Sequence, residues 1–591
     1  MNSLLKRTFD SEAEYYDVTT QFLLLDYDKT INRIVDIIPF RKYDRFTLLD
    51  LGCGTGTLIN RIKEHFPNAS IMGLDFSEEM LNIAREKNGD CVDYTLCNIL
   101  SEDDWPLSHF DVIVSSFVFH NFLSMNEHDK TLSRIYEHLS VDGKLILADL
   151  IDLDNVYRSK EIKNKLIDKM RRHGLCDDDI VKWLGILELE DSPLTIKKNL
   201  ELLNRHGLKD VSIETFDSNI SIFFASKVVD PIQVKSELII KGVRLNECVK
   251  KLFLEQNPNE VWKTGNNGVF INIDNMSALV SMNHKANKSS PYEINEDGNE
   301  IYLTKWGKKL DIRLTTMQFP EWFLKKIPQL NNRCFSEFFV YEGDGYLHLA
   351  YKKCSFSKEE KCKFCSTLRR EQAERNNLDE LRIALDYVLD DIPDETNICL
   401  GGGTYLPLSD NVEYFKEIIK CIRAKNSKIP IWIEMIPPSI QQIEELIDCG
   451  ATSFGFNIEI WDDNLRKKIC PGKSTYSKEH YLEACDFVLE KLGPNRVGSC
   501  LIVGLDHADS IKKAIDEMIS HGIEPCLLPY KTYNRTNLAG YSVPQTYQYD
   551  FILLSRYVAK QAKLNGIMFE NNQGCLRCSC CTIMHDYQKN Y

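Results

Sequence analysis

FTLLDLGCGTGTLINRIKEHFPNASIMGLDF, residues 46–76, decides the fold of the first part of this chain. Phe46 to Leu51 is a nearly unbroken apolar run, the pattern of a parallel strand buried on both faces. It breaks at Gly52, Gly54 and Gly56, and a helical pattern follows from Thr57. A second strand, Ser70 to Leu74, ends in Asp75. Strand, glycine turn, helix, strand and acid make a nucleoside-binding half of a doubly wound sheet, in which the glycines let backbone approach the ligand and the acid accepts both ribose hydroxyls. The GxGxG spacing departs from the GxGxxG of dinucleotide sites, although another kind of nucleotide binder fits the same pattern.

The rest of the chain is too long to share that core. Its 591 residues predict two to four domains. The composition, 43% apolar and 27% charged, is that of an ordinary globular protein, without low-complexity tracts or repeats. The start, MNSLLKRTFDSEAEYYD, lacks a signal-peptide apolar run, and no stretch reaches the length of a membrane helix, so a cytoplasmic protein is expected. In that compartment the 20 cysteines read as core residues, catalytic thiols or metal ligands rather than disulfides. A net charge of −15 gives no electrostatic footprint for nucleic acid or an anionic membrane.

After residue 228 the pattern changes. VFINIDNMSALVSM and GNEIYLTKWGKKLDIRL read as short strands, and KANKSSPYEINEDGNE between them as a loop, so 229–340 is expected to be a β-rich accessory region. From 345 strand and helix alternate. GYLHLAYKKC, NICLGGGTYL, IPIWIEMI, TSFGFNIEIW, RVGSCLIVGL and IEPCLLPYKTY are the strands, with helical patterns between and after. Six such units predict a parallel sheet curled into a partial (β/α)6 barrel over 341–568, with its chemistry at the C-terminal strand ends.

CSFSKEEKCKFC, residues 354–365, lies just past the first of these strands and holds Cys354, Cys362 and Cys365. Three thiolates on one loop suit a metal ion or an iron–sulfur cluster. A structural zinc takes four ligands, usually as two close pairs, and only Cys362 and Cys365 form such a pair. A four-iron cluster held by three cysteines keeps one iron open. Glu434 points toward the barrel mouth or is an ordinary strand-end polar residue. Cys470 in CPGK lies near the mouth or, by the favoured reading, is an ordinary loop cysteine, and those at 399, 421, 449, 485, 500 and 526 are mostly core. The tail, 569–591, places Cys575, Cys578, Cys580 and Cys581 within seven residues. This reads as a second metal site, an auxiliary cluster or zinc, with His585 a further ligand candidate, or as a redox pair or thiol relay.

LDLGCGTG followed by GLDFSEEML resembles the class I S-adenosylmethionine (SAM) methyltransferases, whose ligand carries no pyrophosphate. The resemblance covers about residues 9–228. It takes in FDSEAEYYD as the opening segment, FDVIVSSFVFHN (110–121) as the fourth strand, GKLILADL (143–150) as the fifth, and DVSIETFDSNISIFFASK (210–227) as a closing antiparallel hairpin. It implies a Rossmann-like methyltransferase domain over 1–228, with Gly52, Gly54 and Gly56 at the methionine portion, Asp75 at the ribose and Asn98 at the adenine edge. A charged helical insert between Ile151 and Asn204 is expected to cover the substrate. His120 is the candidate catalytic base or a packing residue, and methyl transfer can also proceed largely by positioning.

The cysteine loop with its barrel resembles the radical SAM superfamily. The commonest spacing there is CxxxCxxC; here the first loop is longer, while the CxxC end and its aromatic residue, Phe364, are kept. The resemblance implies a [4Fe-4S] cluster on Cys354, Cys362 and Cys365, whose open iron chelates SAM and passes it an electron. It places Gly401, Gly402 and Gly403 at the SAM amino group, Asn457 and Glu459 at the ribose or carboxylate, and LIVGLDHADS (501–510) against the adenine. One chain then carries two SAM-dependent activities. A methyltransferase acts on a precursor or product, and a radical enzyme functionalises or rearranges a small metabolite or peptide with electrons from flavodoxin or ferredoxin. Two alternatives are a methyltransferase with a zinc-stabilised, non-catalytic C-terminal binding domain, and a radical methylating enzyme acting on nucleic acid, which the acidic balance disfavours.

Overall fold

The computed structural model describes residues 10, 13–101, 105–106, 108–190, 192–256, 268–281, 290–298, 300–317, 319–341, 345–349, 354–357, 359–365, 376–393, 395–401, 403–531, 538, 543–544 and 546–590. The chain divides into two compact units, Met1–Val229 and Asp230–Tyr591.

The first unit is built on β1 (Thr47–Leu51), β2 (Ser70–Asp75), β3 (Asp93–Leu96), β4 (Phe110–Ser116), β5 (Leu139–Leu150), β6 (Leu208–Thr215) and β7 (Ile220–Lys227). They form one sheet in the order β3-β2-β1-β4-β5-β7-β6, with β7 antiparallel to both neighbours and the other pairings parallel. This is the doubly wound sheet with a closing hairpin. The apolar run of β1 follows from its central place, since Leu48, Leu49 and Leu51 are fully buried. Gly52, at φ +77°, turns the chain off the sheet, and the helix Thr57–His65 begins after Gly56 at φ +75°. The stretch 151–204 folds as helices Val156–Arg172 and Asp177–Glu190, and most of Ile196–Arg205.

The second unit opens with the buried helix Pro231–Lys241, capped by Asp230 with proline in its first turn. Two small sheets follow. One pairs β8 (Arg244–Leu245), β11 (Tyr292–Asp297), β12 (Glu300–Lys305) and β13 (Lys308–Lys309); the other pairs β9 (Gly268–Ile273), β10 (Met276–Ser281) and β14 (Leu314–Thr316). The expected loop at 285–300 therefore holds a strand, β11, paired with β12 by a tight antiparallel register. Tyr292 and Ile294 turn into the core while Glu293 and Asn295 turn outward, so the charged residues that made the segment read as a loop occupy only its outer face. Residues 285–289 and 299 of that expectation lie outside the described residues.

The barrel sheet runs β15 (Phe339–Tyr341), β16 (Tyr346–Leu349), β17 (Asn397–Leu400), β18 (Ile431–Glu434), β19 (Ser453–Gly455), β20 (Val497–Val503) and β21 (Glu524–Pro529) in sequence order. β16 to β21 are parallel and β15 is an antiparallel edge. Its N-terminal mouth is closed by the tail. Gly574 N donates to Asn397 Oδ1 at 3.0 Å, Ser453 Oγ donates to Gln573 Oε1 at 3.1 Å, and Leu576 packs where Gly498 leaves no side chain. Asn397, Ser453 and Gly498 all stand at strand starts, so the tail plugs the bottom of the barrel. The alternation of β20 then turns Cys500 inward with Gly498, and its register partner Cys526 inward on β21.

Candidate functional site

In the first unit a cleft opens where β1 and β4 end. Gly52, Gly54, Asp75, Phe76, Cys97, Phe117, Val118 and Asn121 line it, and Tyr16 from the N-terminal segment closes it. The glycines do different work. A Cβ on Gly52 would stand 2.4 Å from Val118 Cγ2, whereas one on Gly56 would stand 2.5 Å from Asn88 Nδ2. Gly56 thus serves helix packing and does not line the cleft. Asp75 accepts from Gly54 N at 2.8 Å and Ser77 N at 3.0 Å, and burial still pushes its carboxyl upward against these two bonds. Asn98 lies between the lining residues Cys97 and Ile99 but is not itself in the lining; its Oδ1 accepts from Leu100 N at 3.1 Å.

Two acids here escaped the sequence reading. Asp50 is 1% exposed, neither of its carboxyl oxygens has a hydrogen-bond partner among the described residues, and burial followed by the charge of Asp75 raises it to about 7. Asp50 is buried within β1 and does not itself line the cleft. The signal was present, as an acid in the middle of a buried strand. Asp149, at the end of β5, organises the opposite wall: Oδ2 accepts from Val118 N at 3.1 Å and Phe119 N at 2.6 Å, and Oδ1 meets His120 Nδ1 at 2.5 Å. His120 Nε2 lies 3.2 Å from Asn121 Nδ2, so a polar chain runs from Asp149 through His120 to the cleft lining. The N-terminal segment is tied over the glycine turn by Asp17, which accepts from Thr55 Oγ1 at 2.5 Å, Thr57 Oγ1 at 3.0 Å and Lys87 Nζ at 2.6 Å.

In the second unit a cavity of about 190 Å³ lies at the C-terminal ends of the barrel strands. Cys354, Cys362 and Cys365 all line it, with Gly403, Glu434, Asn457 and Glu459. Ser355 N donates to Thr404 O at 2.7 Å, which fixes the Cys354 segment to the turn after β17, and Cys365 N to Cys362 O at 3.0 Å forms the CxxC turn. Gly401 does not line the cavity; a Cβ there would stand 2.5 Å from Glu434 Cβ, so its role is close strand approach. Gly402 lies outside the described residues. Asn457 Nδ2 donates to Glu434 Oε1 and its Oδ1 accepts from Cys500 N at 3.0 Å, locking both polar side chains at the mouth.

Lys473 is a lining residue the sequence did not reveal. Its Nζ reaches Glu459 Oε1 at 2.7 Å and Asn457 O at 3.2 Å. Burial opposes its charge, yet Glu459 and Cys362 hold it protonated. The Cys362 thiol is lowered by a hydrogen bond from Cys470 and, against the effect of burial, by the charge of Lys473.

No three His, Cys, Asp or Glu side chains among the described residues converge as around a single metal ion. In a four-iron cluster each thiolate binds its own iron, so three thiols spread around one cavity form a donor set that fits the cluster. In the tail, Cys578 Sγ and Cys580 Sγ lie 3.2 Å apart across Ser579, whose φ of +56° folds them together. Both are buried, whereas Cys575 is exposed. His585 is buried against Glu524, Nε2 to Oε1 3.4 Å, too long for a strong bond. Burial lowers the imidazole to about 3 and raises the carboxyl well above its usual range, leaving a neutral pair.

A family model for a methyltransferase domain matches residues 49–145, and one for the radical SAM superfamily matches 351–524. The chain joins a methyltransferase domain to a radical SAM domain. Both domains use SAM, the superfamily of the second uses a [4Fe-4S] cluster, and the chain is a bifunctional SAM-using enzyme. Among curated proteins it is similar to a carboxy-S-adenosyl-L-methionine synthase of Nautilia profundicola, 25% identical over 38% of this chain and 97% of that protein. It is also similar to a demethylmenaquinone methyltransferase of Thermus thermophilus, 32% identical over 24% of this chain and 63% of that protein. Among solved structures, human N-acetylserotonin methyltransferase in complex with SAM matches at TM-score 0.25 and 17% identity, over 38% of this chain and 55% of that one. A Haloferax volcanii complex of the Trm112 methyltransferase activator with a putative methyltransferase matches at TM-score 0.27 and 19% identity, over 37% of this chain and 96% of that one. With scores this low, the fold argument rests on the strand order itself. No helix among the described residues is long and apolar enough to cross a membrane.

Proposed function

We propose that the radical SAM domain abstracts hydrogen from an unactivated carbon of a small metabolite or peptide, and that the methyltransferase domain methylates the precursor or product. The observation that carries the radical reading is the gathering of Cys354, Cys362 and Cys365 around one cavity with Glu434, Asn457, Glu459 and Lys473. Cys354, Cys362 and Cys365 would hold a four-iron cluster, which when bound would supply the single electron for reductive cleavage of SAM. The chain's own groups hold and orient the ligands. Lys473 offers a cation to a carboxylate, Glu459 offers an acceptor to an ammonium or hydroxyl, and the Asn457–Glu434 pair presents a fixed polar wall.

In the first site, Asp75 receives the hydroxyl groups of SAM, and Asp149 holds His120 by its Nδ1 while Nε2 accepts from Asn121 Nδ2, so that His120 orients Asn121 in the cleft lining. The name of the Nautilia relative favours a second reading for this site, modification of SAM itself to a carboxy derivative rather than transfer of its methyl. Mass analysis of the SAM pool after incubation with cell extract separates the two, because methyl transfer yields S-adenosylhomocysteine and the second reading yields carboxylated SAM.

The whole proposal is tested on anaerobic protein with dithionite or a reduced flavodoxin. Release of 5′-deoxyadenosine supports it, and zinc with no iron refutes it. The tail reading, a further metal on Cys575, Cys578, Cys580 and Cys581, is tested in the same sample. About four irons per chain leave the tail as a plug, and more iron, or added zinc, supports a second centre.

A further inference from the structure

The polar chain on the wall of the first unit's cleft has a fixed direction. Asp149 accepts from the backbone amides of Val118, Phe119, His120 and Leu150, so toward the His120 ring it stands as an acceptor as well. At the other end Asn121 Nδ2 lies 3.4 Å from Val118 O, a group that can only accept, which assigns that atom as the NH2 nitrogen. The ring therefore meets an acceptor at Nδ1, 2.5 Å away, and a donor at Nε2, 3.2 Å away; it carries its proton on Nδ1 and accepts at Nε2. The His120 and Asp149 side chains are only 11% and 6% exposed, so water competes little for these bonds. With Nδ2 committed twice, what Asn121 presents to the cleft it lines is Oδ1, which has no hydrogen-bond partner among the described residues.

We propose that Asn121 Oδ1 accepts a hydrogen bond from the ammonium of SAM's amino-acid half, with His120 and Asp149 as positioning residues that hold the amide in that sense. The place follows from the sheet. Along the order β3-β2-β1-β4 the cleft is lined by Cys97 beyond β3, Asp75 and Phe76 at β2, Gly52 and Gly54 beyond β1, and Ser116 to Val118 with Asn121 at β4. A SAM whose ribose meets Asp75 lies across these strand ends, with its adenine on the β3 side and its amino-acid half on the side of β1 and β4. The ammonium is the strong donor of that half, and Oδ1 is an acceptor with no other bond to make. Turned over, the amide would set its NH2 against the ammonium, two donors facing each other; the His120 ring prevents this by accepting at Nε2. This inference rests on the reading of the cleft as the methyltransferase domain's SAM site, with Asp75 at the ribose and the glycine turn at the methionine portion.

The test uses two probes: S-adenosylhomocysteine, which has the ammonium, and 5′-methylthioadenosine, which keeps the nucleoside and lacks the amino-acid half. Each is titrated into the full-length protein, and the first-site component is the binding that Gly52→Ala removes. Asn121→Leu, which keeps the bulk, and Asn121→Ala, which only shortens the side chain, are both expected to weaken S-adenosylhomocysteine by about tenfold and to leave methylthioadenosine within about twofold. His120→Leu should weaken S-adenosylhomocysteine by about threefold, and combined with Asn121→Leu it should cost nothing beyond Asn121→Leu by itself, because His120 acts through Asn121. Equal losses for the two probes, no loss for either, or additive losses in the double variant overturn the inference. Binding of both probes that Gly52→Ala leaves unchanged overturns the reading of the cleft first.

Discussion

The two sites receive the same sulfonium with opposite materials. At the end of β1 the walls are glycines, apolar side chains and the buried acid Asp75, with no cation in the lining among the described residues. At the barrel mouth they are three thiols and a Glu459–Lys473 ion pair only 13% and 16% exposed. On the function proposed above, the first set holds a cation in place for a nucleophile, the second brings it a redox group and a fixed positive charge, and the surroundings rather than the ligand select polar or homolytic cleavage.

The comparison breaks most sharply at Cys362. Cys362→Ala is expected to reduce 5′-deoxyadenosine release to background while SAM still binds the first unit; loss of both would mean that the two sites depend on one another. The converse is Gly52→Ala, whose Cβ would stand 2.4 Å from Val118 Cγ2 at a φ of +77°. It should abolish SAM binding at the first site, destabilise that unit by about 1–3 kcal/mol, and leave deoxyadenosine release intact. Asp149→Ala removes the acceptor of the Val118 and Phe119 amides and of the His120 ring, and a loss of about 1–3 kcal/mol should appear in denaturant unfolding of the first unit.

The smallest effect sharpens the contrast in charge. Asp50 titrates near 7 when folded and near 3.8 when unfolded. Between those values the folded chain keeps a proton the unfolded chain has released, so stability is present below about pH 4 and falls as pH rises toward 7, by up to about 1.4 kcal/mol per unit. Without SAM, the first unit's melting temperature should therefore rise as pH drops from 7.5 to 6. Asp50→Asn should flatten that slope, and an equal slope in the variant would contradict the assignment.

The sheet of the first unit was legible because buried parallel strands and glycine turns write themselves locally, and the beat of strand and helix announced the barrel for the same reason. The three thiols were legible as a cluster of residue types near one strand end. β11 was hidden because its outward face is charged, and the eye takes YEINED for a turn. The tail's place was not legible at all, since Gln573, Gly574 and Leu576 meet strands that begin some 75 to 175 residues earlier, and their contacts leave no local periodicity. Lys473 was missed likewise, being brought to the site by a loop that pairs with residues about 110 positions before it. Asp50 was in plain view within β1 but was passed over as part of a strand.

The claim that one chain uses SAM in two chemically distinct sites is tested most directly by counting bound SAM on the anaerobic holoprotein before and after its iron is removed with a chelator. Two equivalents falling to one would agree with it. A count that iron removal leaves unchanged would contradict it.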